Sequence, residues 1–469
     1  MAGSSESSSV PFLVTVVTNV FPVAAVFALG WDAEMLAVVY VVELLVAVPF
    51  AGLKALFAAQ PPDYEELTRP KEPGRFKSDD REGTSVGPSE LNRRRGSVGV
   101  VDWLPPVYPR NASFVTGWFG TVVTLSAVFV AVLGQSVDVL ATLTEPTVAA
   151  STVSLVVSHV AVIERQYFRE RQYETVTPQD VVEAATGEAG VAAAVFLVAS
   201  GVGPTGAVVV FAAVKLYGEW LSYRGESLTG DDREPGELPP VSVPKTVPTA
   251  VVRPNGRAVV AAALWRGVEP AIKFLPGFAL VWGALTRASA AGPLVALACF
   301  GLGPALVVGL RAVEYWLTHG TLAYQRRGDT IIAYDELTET PQWSVPVDEL
   351  QRVELRSRHL ADRLFDTRTF TIRPLGAEYD HEITHVEEYE RAVEAFELPV
   401  AAASLGRLDW RAVGATVGLA VGVVTAAGWT LTRAPSAAVF LVAFGSPLSL
   451  VVFRWMWRQG VPQTRVDVE

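Results

Sequence analysis

Ten apolar stretches, each about long enough to cross a bilayer, recur along this chain, and the basic residues between them fall on alternate loops. A spanning helix needs roughly 20 mostly apolar residues. The candidates are 10–29, 33–57, 113–134, 146–164, 187–202, 204–222, 271–287, 292–316, 411–431 and 436–456. Hydrophobic residues make up 50% of the chain, more than most soluble proteins of this length carry. The expected fold is an α-helical polytopic membrane protein of ten transmembrane helices.

Loops 58–112, 165–186 and 223–270, the segment 317–410 and the tail after 456 hold most of the Lys and Arg. The intervening turns hold only Arg287 and Arg433. The positive-inside rule then puts both termini in the cytoplasm of a multi-pass cell-membrane protein. The chain divides into a disordered tail 1–9, a six-helix domain 10–225 and a Pro-rich linker 226–265. A helix pair 266–316, a cytoplasmic domain 317–400, a hairpin 411–456 and a tail 457–469 follow. Loop 59–97 is rich in Pro, Arg and Asp with few apolar residues, and is expected to be disordered.

Net charge is −11, and only six of the 38 basic residues are Lys. This bias resembles the proteomes of extremely halophilic archaea. Near-saturated salt shortens the Debye length to roughly 3 Å or less, so basic patches attract little and no nucleic-acid partner is expected. The one cysteine, Cys299, permits no disulfide within the chain and no CxxC metal site. No cofactor is expected.

Three local patterns resemble a prokaryotic membrane family of unknown function. The first is Asn19-Val20-Phe21-Pro22-Val23 with Phe27-Ala28-Leu29-Gly30-Trp31, before Glu43. The others are Ser158-His159 followed by Tyr173-Glu174, and Val214-Lys215-Leu216 with Glu219. The resemblance implies a shared membrane fold and no reaction.

Ionisable residues within spans cost roughly 2.5–3.5 kcal/mol each on insertion scales. Glu43 and Lys54 are eleven residues apart, about three turns, on one helix face. Lys215 and Glu219 are four apart and can pair. With His159 they read either as a polar track for an ion or small solute, or as interhelical glue with snorkelling lysines.

In the insert, 321–326, 330–334, 351–356 and 367–373 alternate as strands, with Gly328-Asp329 as a turn. Val386, Tyr389, Val393 and Phe396 recur at helical spacing. Pro346-Val347-Asp348-Glu349-Leu350, Leu360-Ala361-Asp362-Arg363-Leu364-Phe365 and Thr367-Arg368-Thr369-Phe370 resemble the bacterial PH-like domain family. That resemblance implies a small PH-like β-barrel closed by a helix, serving assembly or interaction at the membrane surface. Asp366 stands where the family has Gly, and 335–345 looks inserted.

His381-Glu382-Ile383-Thr384-His385 matches H-E-x-x-H, a zinc-protease signature that requires a helix. Here it falls where a strand hands over to a helix, so it reads as coincidence. Gly414, Gly418 and Gly422 form a four-residue stripe that lets another backbone approach, within the chain or from a second copy. The preferred expectation is a membrane scaffold that recruits a protein partner through the insert. A transporter using Glu43 and Lys215, or a metalloprotease using His381 and His385, are the alternatives.

Overall fold

The computed structural model describes residues 32–63, 90–118, 144–183, 240–288, 293–356, 360–376, 380–400 and 409–433, with isolated positions elsewhere. Two units divide the chain. One comprises Met1–Asp63, Gly117–Gly236 and Gly277–Phe300; the other comprises Tyr64–Thr116, Glu237–Pro276 and Gly301–Glu469.

In the first unit, α1 (Ala33–Phe57) packs on α2 (Pro146–Val162). Pro146 opens α2, where a missing N–H costs nothing and φ is already helical. The helix continues as a π-helical stretch, Ile163–Arg169, in which Tyr167 is buried. The Tyr167 hydroxyl donates to the Lys54 carbonyl at 2.8 Å, and Phe57 meets Phe168 edge-on. Thr177 and Asp180 then form a reciprocal cap. The Asp180 N–H donates to the Thr177 hydroxyl at 3.2 Å, and the Thr177 N–H donates to the Asp180 carboxylate at 3.1 Å. Thr177-Pro178-Gln179-Asp180 thus supplies an N-cap, a proline at the first helical position and an acid in the first turn.

The second unit is built on two antiparallel sheets. β1 (Ala250–Val252), β2 (Leu322–Arg327), β3 (Thr330–Asp335) and β4 (Thr340–Pro346) form the first, in that order. β5 (Leu350–Arg356), β6 (Arg368–Pro374) and β7 (His381–Val386) form the second. Tyr324, Ile331, Phe370, Ile372, Ile383 and Phe396 share one core between them. Phe396 comes from α6 (Tyr389–Phe396), which closes that core. α3 (Gly256–Ala288), α4 (Pro293–His319) and α5 (Leu360–Leu364) add a second cluster, with Ala258, Val259, Ala262, Tyr315 and Ala361. Asn255 caps α3, its side-chain oxygen accepting the N–H groups of Arg257 and Ala258. The Asn255 N–H donates to the His385 carbonyl, which ties α3 to the end of β7.

The expected ten-span helical bundle is corrected by this architecture. Among the described residues one helix, Pro146–Arg169, is long and apolar enough to cross a membrane, and two small antiparallel sheets organise the second unit. Hydropathy windows report composition and cannot tell a span from a helix that packs within the protein. Windows 271–287 and 292–316 fall in α3 and α4; Ala258 and Val259, buried with Tyr315, precede the first window, and Leu302, Leu306 and Val313 in the second are exposed. Windows 33–57 and 411–431 fall in α1 and α7 (Trp410–Arg433), and the remaining five lie largely outside the described residues.

The insert expected as a small β-barrel closed by a helix is two antiparallel sheets, with α6 closing the core they share. The segment read as an insertion contains β4, and the linker 226–265 contains β1 and the start of α3. Loop 59–97 is not uniformly disordered. Its end forms a 3-10 helix, Glu90–Arg93, with Leu91 fully buried.

Candidate functional site

Among the described residues of the second unit, three groupings of ionisable side chains bear on function. The innermost joins α4, α5, β6 and β7. His385 Nδ1 lies 2.6 Å from Asp362 Oδ1, and neither side chain is exposed. The Tyr315 hydroxyl lies 2.8 Å from His385 Nε2. The Thr367 and Thr369 hydroxyls donate to the two Asp362 oxygens at 2.6 and 2.8 Å. An ionised Asp362 only accepts, so Nδ1–H donates to it, and Nε2 shares a hydrogen bond with the phenol. His385 itself sits at φ 52°, a left-handed conformation that L residues rarely adopt. Its N–H donates to Thr369 at 3.1 Å, so the same network holds its backbone.

This settles the place of the H-E-x-x-H residues. They lie on β7, not on a helix. Both ring nitrogens of His385 are engaged by protein groups. His381 instead stacks on Trp343 at 4.7 Å. Burial, then the charge of Arg93, pushes the His381 imidazole down to about 4. The two histidines thus serve different contacts.

The second place is the end of the loop expected to be disordered. Arg94 and Asp335 form an ion pair at 2.5 Å, with side chains 4% and 2% exposed. Arg94 also donates to the Thr318 carbonyl. Burial pulls its guanidinium below the usual arginine range, and Asp335 opposes the shift. The Arg95 N–H donates to the Gln342 side chain at 2.8 Å. Gly96 has φ +84°, and a Cβ there would come within 2.7 Å of Thr338. Residues 90–97 are thereby built into the sheet unit.

The third place is a mixed donor cluster. Glu90, His319 and Glu382 each present a ligand atom, all within 4.8 Å of one another. Neither this cluster nor the Arg94–Asp335 pair was expected from sequence. Glu90, His319 and Glu382 lie far apart along the chain, so no local spacing links them. An apolar hollow of about 360 Å³ also opens beside α3, α4 and α5, lined by Leu264, Trp265, Val308 and Leu364. Its lining offers burial but no converging polar groups to orient a ligand.

The polar residues expected within the membrane are only partly described. Lys54 Nζ lies over the Tyr167 ring at 5.0 Å, and His159 stacks with Phe50 at 6.3 Å. Glu43 lies on α1 with Lys54. Lys215 and Glu219 lie outside the described residues. Gly414, Gly418 and Gly422 lie on α7, where an added Cβ would meet nothing within 4 Å among the described residues.

Residues 1–234 match the model of a family of unknown function (DUF6498). No curated protein and no solved structure matches the chain. The matched stretch includes Glu90 to Gly96, the residues joined to the sheet unit by Arg94 and Arg95.

Proposed function

We propose that the chain is a membrane-attached scaffold whose two-sheet unit recruits a protein partner on the cytoplasmic side. The observation that carries this reading is the buried Arg94–Asp335 pair. Through it, a loop of the family-matched half is held in the same compact unit as β3. A domain merely appended to the family would need no such buried ion pair. Here the pair fixes residues of the matched stretch against β3 within one unit. The resemblance of 317–400 to PH-like domains supports the same role. The apolar helix Pro146–Arg169, with Val153, Val157 and Val160 exposed, supports attachment to a lipid bilayer.

Proximity labelling from native membranes tests the reading, comparing the full chain with one lacking 318–400. A specific partner set lost on deletion, at equal membrane abundance, is the expected result. An unchanged partner set contradicts it.

A further inference from the structure

We propose that Glu90, His319 and Glu382 form a binding site for a divalent transition-metal ion that staples residues 90–97 to the two-sheet unit. The three side chains come from three segments: the 3-10 helix Glu90–Arg93, the end of α4 and the start of β7. Their ligand atoms already lie within 4.8 Å of one another. Bonds of roughly 2.0–2.2 Å to zinc put tetrahedral ligands about 3.4 Å apart. Closing the site therefore needs side-chain movement of about an ångström.

Each ligand stands on an anchored element. Leu91, next to Glu90, is fully buried, and Arg94 at the end of that turn is pinned to Asp335. His319 is 5% exposed, and its ring lies 4.5 Å from Tyr315, which fixes its plane. Glu382 is held in register opposite Thr371 on β6. Two carboxylates brought this close repel each other unless a cation or a proton lies between them.

The donor set selects the ion. One imidazole and two carboxylates suit zinc, manganese or ferrous iron better than calcium or magnesium, which prefer oxygen alone. Two carboxylates neutralise a divalent ion. The nearby Arg94 charge is already balanced by Asp335. Three protein ligands leave a fourth position open to solvent, on the side of the exposed Glu90. The role assigned is a clamp: metal binding ties the family-matched loop to α4 and β7. It does not depend on the recruiting role proposed above.

The experiment uses the full chain in detergent, stripped with chelator and titrated with zinc chloride or manganese chloride alone. Bound metal is counted by mass spectrometry, affinity by calorimetry, and protection of 90–97 by hydrogen exchange. One zinc or manganese per chain, with slowed exchange at 90–97, is expected. Glu90→Gln and Glu382→Gln each weaken binding at least about tenfold and remove the metal-dependent protection. Glu90 is exposed, so its substitution leaves the metal-free fold in place and keeps the test valid if His319→Gln fails to fold. No binding after stripping overturns the site. So does binding that both Gln variants retain, which marks an adventitious ion only.

Discussion

His385 Nδ1 and Asp362 Oδ1 lie 2.6 Å apart in the interior of the sheet unit, closed off from solvent on every side. The pair joins the end of β7 to the short helix α5. Tyr315 extends it to α4, and two threonines extend it to the start of β6. Three neighbouring elements thus meet on one carboxylate, and α4, distant in sequence, joins through His385.

Removing that carboxylate should therefore be severe. Asp362→Ala leaves His385 and both threonines without their acceptor, and is expected to cost roughly 3–5 kcal/mol. Tyr315→Phe deletes only the hydroxyl hydrogen-bonded to Nε2 and should cost about 1–3 kcal/mol. Urea unfolding of the full chain, followed by a tryptophan in the sheet unit, measures both. Equal, small effects would contradict the network.

The Arg94–Asp335 pair predicts a similar asymmetry. Arg94→Ala leaves Asp335 buried without its partner, at roughly 3–5 kcal/mol. Replacing both residues by Met and Leu should recover most of the loss. Arg391→Ala, at an ion pair whose side chains are 80% and 71% exposed, should change stability by no more than about 0.5 kcal/mol. Limited proteolysis between residues 90 and 97 reports whether the loop is released.

Two glycines in left-handed conformations should differ in their tolerance of alanine. At Gly328, φ is +60° with open space around the Cβ position, so Gly328→Ala costs only the backbone penalty of about 1–2 kcal/mol. At Gly96 the added methyl also collides with the Thr338 side chain. Gly96→Ala should therefore lower the unfolding midpoint further than Gly328→Ala.

His381 gives the pH dependence a sign. Its folded pKa, about 4, lies below the ordinary value for histidine, which is about 6.5. Folding therefore favours the neutral ring. That contribution is complete above about pH 6.5 and is lost as pH falls through about 4. His381→Phe keeps the stack on Trp343 and cannot protonate. Its midpoint-against-pH curve should be flatter than that of the parent between those limits.

What could be read from sequence follows the reach of each interaction. The alternation at 367–373 and the Gly328 turn are local patterns that the structure reproduces within a residue; of the expected helical face, Tyr389, Val393 and Phe396 lie on α6, but Val386 ends β7. Asp366 adopts φ 50°, a conformation Asp tolerates better than most residues. β1 and β4 were missed, and β7 runs past the expected strand end as far as Val386, because pairing partners, not alternation, make them strands. Loop 90–97 is polar and reads as disorder until Asp335, 241 residues beyond Arg94, supplies the counter-charge. The ten apolar windows misled for the opposite reason. Composition alone suggests a span, yet windows 271–287 and 292–316 fall on helices that continue into the cluster of Ala258, Val259 and Tyr315.

The most direct test of the recruiting role places a photo-crosslinking residue at exposed positions of the sheet unit, Leu337 and Leu375, and at Val153 on α2. Irradiated native membranes should give a discrete protein adduct from Leu337 or Leu375 and none of that mass from Val153. Adducts confined to Val153, with the sheet positions silent, would contradict the account.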